Sequence, residues 1–236
     1  LVSTVLGEVM QIDPELIRIT RPNSLESLPG NSPVGSRMAI MLGGAAARAG
    51  EKLKAKIMAI AAHRLGVAID QLRYEGGDVL AHDGRRFTWD EMVELAHRQY
   101  HNLPDGMDPG LASFDIMQVP TGDALPVDDK VQMYPCYSFE FHLLLVSFDP
   151  IIGRPDIHSY VIGHDCGTVI NPAIVSGMTY GGIAHGIGAA LFEEFAYDTN
   201  GQLLTQSFLD YLMPSSHEVP AIQIVKHCTP SPHTVF

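Results

Sequence analysis

A glycine-studded stretch between His164 and Phe192 restricts the possible folds of this chain more than any other part of the sequence. The segment Ile157–Ile162, apolar at alternate positions, predicts a strand that runs into this stretch. Asn171 and Pro172 then predict a helix start, because an Asn side chain accepts a hydrogen bond from an unpaired amide and Pro suits the first helical position. The predicted order is therefore strand, turn, helix.

The predicted helix is unusual because glycine recurs inside it. Each glycine lowers helix stability by roughly 0.8–1 kcal/mol relative to alanine, so five of them lower it by about 4–5 kcal/mol. Small residues recur every three or four positions and give the helix one nearly bare side. A bare side allows either a flat ligand or another stretch of backbone to come close, and the pattern leaves both readings open. The glycines are Gly177, Gly181, Gly182, Gly186 and Gly188, and the predicted bare side is Gly177, Gly181, Ala184 and Gly188.

A second candidate binding segment precedes the alanine-rich helix predicted for Met38–Leu65. There the sequence reads Val34, Gly35, Ser36, Arg37. Unpaired amides and the positive end of the helix dipole favour an anion at a helix start, and a hydroxyl and a guanidinium suit phosphate. An ordinary serine cap beside a solvated arginine gives the same pattern, so both readings remain at this point.

The remaining pattern indicates a mixed α/β (α+β) fold. Thr88 and Glu91 have capping-box spacing and open a helix predicted to continue to about Tyr100. Residues 101–130 form the longest irregular stretch, rich in proline, which is typical of a lid or a surface insertion. Within residues 1–236 we expect sub-domains 1–130 and 131–236. Besides the strand at 157–162, strands are predicted at Leu72–Ala81 and Arg86–Phe87, which form a hairpin, and at Phe139–Phe148 and Ala221–Val225.

The charge balance argues against several classes of partner. The formal net charge is -12 over 236 residues, whereas nucleic acids and anionic membrane surfaces require clustered cations. No apolar run reaches the roughly 18 residues that a membrane span needs, and no secretory signal pattern follows Leu1, so we expect a cytoplasmic location. The widely spaced Cys136, Cys166 and Cys228 predict free thiols instead of a disulfide framework or a zinc site.

Several separate motifs occur together in this chain: Pro33–Arg37, Asp165–Pro172 with the glycine-rich helix after it, and Leu203–Pro214. Together they resemble the C-terminal part of the molybdopterin-binding large subunit of the xanthine dehydrogenase and aldehyde oxidase family. The Gly-Ser-Arg version of the first motif is similar to the bacterial branch that includes carbon monoxide dehydrogenase large subunits. The resemblance covers nearly the whole chain in family order.

This resemblance implies part of a molybdenum hydroxylase that oxidises an aldehyde, an N-heterocycle or a similar small substrate, with water as the oxygen source. The implied cofactor is molybdenum held by a pterin, often the cytosine dinucleotide form in bacteria, with iron–sulfur clusters and FAD on partner chains or domains. The implied partners are the rest of the molybdenum subunit, an iron–sulfur subunit and an FAD subunit. Because the family loop matching Val34–Arg37 binds the pterin phosphate region, the implied cofactor-binding residues include Val34, Gly35, Ser36 and Arg37.

Two positions on the glycine-rich helix depart from the family pattern, in which glutamine commonly stands at both. Met178 cannot donate a hydrogen bond, and His185, on the same side of the helix, is either a replacement donor or a neutral histidine packed against the sheet. We include Met178 and His185 among the expected cofactor contacts. The family's catalytic glutamate is expected beyond Phe236, so no residue of this chain is predicted to be catalytic or to bind the metal directly.

The residue pattern also allows other interpretations of what this chain does. We expect this polypeptide alone to be inactive, as a fragment, a split subunit or a piece of a larger chain, and a cofactor-free structural module is the alternative that Met178 favours. A dinucleotide site at Gly181–Gly186 is disfavoured because these glycines lie well past the predicted helix start. A metal site using His164 with Cys166, or His227 with Cys228 and His233, lacks paired ligand spacing.

Overall fold

The structure, a computed structural model, describes residues 1–21, 23–25, 35, 37–118, 128–130, 134 and 136–235. The chain divides into two compact units. Unit 1 comprises Leu1–Pro135 with Pro232–Phe236, and unit 2 comprises Cys136–Ser231. Helices and sheets occur together, as expected for the mixed α/β class. None of the described helices is both long and apolar enough to cross a bilayer.

Unit 1 is built around one long helix. A π-helical turn, Met38–Gly43, runs directly into α2, Gly44–Leu65, so the predicted helix is present but its first turns are wider than α-helical. Gly66 ends α2 with φ of 63°, a left-handed conformation that glycine adopts without strain. The other helices are α1, Val2–Met10, and α3, Trp89–His97, with short 3-10 turns at Pro14–Leu16, Ile69–Gln71 and Tyr100–Asn102.

The small sheet of unit 1 corrects the predicted hairpin. It has three antiparallel strands, β1 (Leu72–Glu75), β2 (Asp78–Ala81) and β3 (Arg86–Phe87). The predicted first strand is interrupted because Gly76 and Gly77 both have positive φ, which turns the chain back on itself. Thr88 caps α3 in the expected capping box, but α3 ends at His97, earlier than the predicted end near Tyr100.

The core of unit 1 lies between α2, α3 and this sheet. The fully buried side chains belong to apolar residues of all three elements, which pack into one cluster. Full burial of such a side chain contributes roughly 1.5–3 kcal/mol relative to exposure. These central residues are Ile57, Ile60, Val79 and Met92.

Unit 2 is a three-stranded sheet with one long helix against it. The strands are β4 (Phe139–Phe148), β5 (Pro155–Asp165) and β6 (Ile222–His227), in that order. β4 and β5 are antiparallel, with an irregularity at Leu145 and Val146, whereas β5 and β6 are parallel. The helix α4, Pro172–Leu191, follows β5 after a turn and precedes β6 in the chain. This order confirms the predicted strand, turn and helix.

Only one face of this sheet is covered within unit 2. Tyr160 and Ile162 of β5 pack against Ile183 and Ile187 of α4. Side chains alternate along a strand, so Phe141 and Leu143 of β4, which pair with Gly163 and Val161, lie on the other face. Phe141 is 69% exposed and Leu143 is 59% exposed. The outward row of β4, which we call the β4 apolar row, consists of Phe139, Phe141, Leu143 and Leu145.

Candidate cofactor-binding segments

The glycines of α4 leave part of the helix surface open. If a Cβ atom were added at Gly177, Gly181, Gly182 or Gly186, it would meet no atom within 4 Å among the described residues. These glycines are therefore not explained by close packing inside the described part of the chain. The open surface can instead receive a ligand or another polypeptide backbone.

Gly188 differs from the other four glycines. A Cβ atom there would lie 2.8 Å from Cδ of Pro214 and would collide with the carboxylate of Glu193. Glu193 Oε2 also accepts a hydrogen bond of 2.7 Å from the hydroxyl of Tyr211, which raises the pKa of Tyr211. Gly188 thus allows the segment after α4 to fold back on the helix, and the predicted bare side is packed at this end.

The two predicted contact residues on α4 lie on its open part. Met178 is 70% exposed, and His185 is also exposed. Their separation of about two helical turns places them on one side of the helix. His185 is therefore not packed against the sheet, which was the alternative reading of this residue. The side chains of Met178 and His185 flank the backbone of Gly181 and Gly182.

The start of α4 already satisfies its own amides. Oδ1 of Asn171 accepts hydrogen bonds from the amides of Ala173 and Ile174, both at 3.1 Å, and Pro172 occupies the first helical position. This confirms the predicted N-cap. Because the cap occupies these donors, the first turn of α4 is a poorer anion site than an uncapped helix start.

The turn between β5 and α4 is anchored by Asp165. Its Oδ1 accepts from the amides of Gly167 at 3.0 Å and Thr229 at 3.1 Å, and its Oδ2 accepts from Oγ1 of Thr229 at 2.6 Å. Hydrogen bonds to a carboxylate favour its charged form. The hydroxyl of Thr229 is the largest cause that lowers the pKa of Asp165 to about 2. The carboxylate therefore holds the ends of β5 and β6 together.

A row of polar side chains on β4 and β5 was missed by the sequence analysis. Oε1 of Glu140 lies 2.7 Å from Nδ1 of His164, and its Oε2 lies 3.4 Å from Nε2 of His142. Nδ1 of His142 lies 2.8 Å from the hydroxyl of Tyr160, whose pKa is raised mainly by burial. Glu140 and His142 are two residues apart on the predicted strand, so the sequence alone indicates that they share a face. Their partners on β5 depend on the strand register.

The predicted phosphate-binding loop is only partly described. Val34 and Ser36 lie outside the described residues. Gly35 has φ of 78°, a backbone conformation that favours glycine, and a Cβ atom there would lie 2.9 Å from the hydroxyl of Tyr134, whose ring would have to shift. Arg37 is the N-cap of the π-helical turn, and its side chain makes no capping hydrogen bond in the described structure. A guanidinium has only donors, so it cannot accept from the amides at this helix start.

Gly35 and Arg37 belong to unit 1, while Met178 and His185 belong to unit 2. The described residues include no group of three or more His, Cys, Asp or Glu side chains that could hold a metal ion. Within each unit, the residues present suit a ligand that is held by backbone approach and a few polar contacts.

Comparison with known proteins identifies what this chain is similar to. The family model described as "Molybdopterin cofactor-binding domain" matches residues 1–220. The nicotine 6-hydroxylase large subunit of Paenarthrobacter nicotinovorans is 31% identical, over 96% of this chain and 26% of that protein. The carbon monoxide dehydrogenase large chain of Hydrogenophaga pseudoflava is 30% identical, over 99% of this chain and 27% of that protein.

The fold shows the same relationship. The crystal structure of the Cu,Mo carbon monoxide dehydrogenase in its carbon monoxide reduced state matches with a TM-score of 0.82 and 27% identity, over 99% of this chain and 28% of that one. This chain therefore spans about a quarter of the length of these relatives. The resemblance inferred from the motifs is confirmed: the chain belongs to the molybdopterin cofactor-binding domain family, among the xanthine dehydrogenase and aldehyde oxidase type of proteins and close to carbon monoxide dehydrogenase large chains.

Proposed function

We propose that this chain forms part of the wall that holds the molybdenum–pterin cofactor in a molybdenum hydroxylase. The observation that supports this best is the open glycine surface of α4 in a chain whose family binds molybdopterin. Because nothing in the described part of the chain packs against these four glycines, they make α4 less stable than a helix with alanine at the same positions. A ligand that approaches the backbone offsets that loss.

The residues of unit 2 have distinct roles in this proposal. Gly181 and Gly182 let the flat pterin system approach the helix backbone. His185 donates a hydrogen bond to the cofactor, because the thioether of Met178 cannot. Met178 contributes a polarisable, apolar contact on the same surface. Asp165 and Thr229 hold the turn that positions the start of α4.

In unit 1 we assign the phosphate region of the cofactor to the loop at Gly35. Its positive φ orients the backbone in a way that other residues rarely adopt, and Arg37 supplies a guanidinium suited to phosphate. Val34 and Ser36 complete this loop in the proposal on the strength of the family motif. The cytosine dinucleotide form of the pterin would place further phosphate in this region.

When bound, the cofactor supplies the two-electron oxidation of the substrate, with water as the oxygen source. The chain itself binds and orients the cofactor, and none of its residues is assigned a catalytic role. We propose an aldehyde or an N-heterocycle as the substrate, and a relative that is a nicotine hydroxylase subunit supports the second class. The proposed partners are the rest of the molybdenum subunit, an iron–sulfur subunit and an FAD subunit in the cytoplasm.

The test uses the complex that contains this chain, purified from cells that make the cofactor. Molybdenum is measured by metal analysis, and the pterin nucleotide is released and identified by chromatography. We expect both to co-purify with the wild-type complex and to be largely lost in a Gly181→Val variant, because the branched side chain fills the open surface. Ala55→Val, at an exposed position of α2, is the matched control and should retain the cofactor.

The competing hypothesis is a cofactor-free structural module. A wild-type complex that assembles normally and carries neither molybdenum nor pterin would establish that alternative and refute the proposal. Equal cofactor content in the Gly181→Val and wild-type complexes would show that α4 does not contact the cofactor.

A further inference from the structure

Two of the three cysteines lie at the ends of neighbouring parallel strands. The last register pair of β5 and β6 is Asp165 with His227. Continuing the register by one residue places Cys166 beside Cys228. Both thiols are free and exposed. Neither cysteine has a role in the proposed cofactor wall.

The chain segments on either side of these cysteines are held together. Asp165 accepts two hydrogen bonds from Thr229, so the residue before Cys166 is bound to the residue after Cys228. A Cβ atom on Gly167, the residue after Cys166, would lie 3.5 Å from the carbonyl oxygen of Thr229. The two cysteines are therefore the central residues of two short segments that run side by side.

The spacing expected from the extended register falls within the range that a disulfide requires. Neighbouring strands are about 4.8 Å apart, and side chains at matched positions of parallel strands point to the same face. Disulfides join residues whose Cα atoms are roughly 4.4–6.8 Å apart. No large backbone movement is therefore needed to join the two sulfur atoms.

The electrostatic surroundings of Cys166 agree with this proximity. Desolvation raises the pKa of the Cys166 thiol most, and the nearby Asp165 and Cys228 raise it further. Lys226 acts in the opposite direction. The Cys228 thiol is thus close enough to affect the pKa of Cys166.

We propose that Cys166 and Cys228 form a redox-responsive dithiol that closes to an intramolecular disulfide on reaction with a small-molecule disulfide. One cysteine thiolate attacks the reagent, forms a mixed disulfide and releases the first reagent thiolate. The second cysteine thiolate then attacks the protein-side sulfur of the mixed disulfide and releases the second reagent thiolate. Two electrons pass to the reagent, and the two protons lost by the cysteines are taken up by the two released thiolates.

Formation of this disulfide would link the end of β5 covalently to the segment after β6. The turn that follows Cys166 leads directly to the Asn171 cap of α4, so the oxidised form holds this turn in a single position. A covalent link also adds to the hydrogen bonds between Asp165 and Thr229. The proposal concerns these side chains alone and does not depend on cofactor binding.

The experiment titrates the native, purified protein with increasing ratios of oxidised to reduced glutathione. Free thiols are counted, and the linked peptides are identified by mass spectrometry after digestion without reductant. We expect free thiols to fall from three to one, with a Cys166–Cys228 link that dithiothreitol reverses. Cys166→Ser and Cys228→Ser should each abolish the link, and the matched control Cys136→Ser should retain it.

Oxidation of the unfolded protein is the control that distinguishes a link set by the fold from one that any unfolded variant would form. In the unfolded chain the shorter loop between Cys136 and Cys166 closes more readily, so that link should predominate there. The proposal is overturned by any of four results: glutathione on both cysteines without an internal link, links between separate chains, a native link to Cys136, or identical link patterns in folded and unfolded protein.

Discussion

Both carboxylate oxygens of Asp165 accept hydrogen bonds from Thr229, one from its amide and one from its hydroxyl. Asp165 ends β5, and Thr229 follows the end of β6 by two residues. A single side chain thus joins the carboxyl ends of two parallel strands at the turn that leads into α4.

This contact predicts a defined acid sensitivity. The folded protein lowers the pKa of Asp165 from 3.8 to about 2, so the charged carboxylate stabilises the folded state. That stabilisation is fully present above the unfolded pKa and is lost as the pH falls through the folded pKa. Thr229→Val removes the hydroxyl donor and should raise the pKa of Asp165 towards 3.8, measured by NMR titration of its carboxyl group. Thr229→Ser keeps the donor and should leave the pKa low; equal pKa values in both variants would contradict the assignment.

The N-cap of α4 predicts a measurable loss of stability. Asn171→Ala removes the acceptor for the amides of Ala173 and Ile174 and should lower the free energy of unfolding by about 1 kcal/mol. Asn171→Asp retains a side-chain oxygen at this position and should remain within a few tenths of a kcal/mol of wild type. Denaturant unfolding followed by circular dichroism provides the measurement. An alanine variant as stable as the aspartate variant would show that the cap is not used in solution.

Two glycine substitutions on α4 should change the stability of the cofactor-free protein in opposite directions. Gly181→Ala meets open space and should stabilise the helix by about 0.8–1 kcal/mol, because alanine is the better helix former. Gly188→Ala should destabilise it, since the added Cβ lies 2.8 Å from Pro214. Thermal unfolding of both variants tests the pair. If Gly181→Ala destabilised the cofactor-free protein, another part of the chain must already occupy that surface.

Substitutions at Met178 and His185, the two positions where the family pattern has glutamine, should change how well the cofactor is retained. Met178→Gln restores an amide donor on the exposed side of α4, so retention of the pterin during dialysis of the complex should increase. His185→Leu removes the remaining donor and should reduce retention. Pterin fluorescence after release measures both effects.

An internal control for this pair is His158, an exposed histidine of β5 that bonds Ser147. His158→Leu should leave retention of the pterin unchanged. A loss of retention equal to that of His185→Leu would indicate a general structural effect of replacing histidine instead of a contact with the cofactor.

Local chemistry explains which elements could be predicted from the sequence. The Asn171 and Thr88 caps depend on residues within one turn of each other, and both occur where expected. The strand at Phe139–Phe148 has the predicted bounds because it is a long apolar run between polar and turn residues. In contrast, the turn at Gly76 and Gly77 was missed, since the alternation of apolar residues continues across it.

Features that depend on distant residues could not be predicted. The row from Glu140 to His164 requires the register of two strands, and the packing of Gly188 requires Pro214 and Glu193 to fold back on α4. The family resemblance indicated Met178 and His185 as cofactor contacts, and the structure adds that both side chains are exposed. The roles of these residues and of Gly35 and Arg37 stay predictions.

The β4 apolar row has a consequence for how this protein is made. Phe139 is 73% exposed and Leu145 is 64% exposed on a strand at the edge of its sheet. Such an edge can recruit identical strands from other copies as they leave the ribosome. We therefore expect this row to be shielded soon after synthesis by another protein surface, because copies that expose it would aggregate.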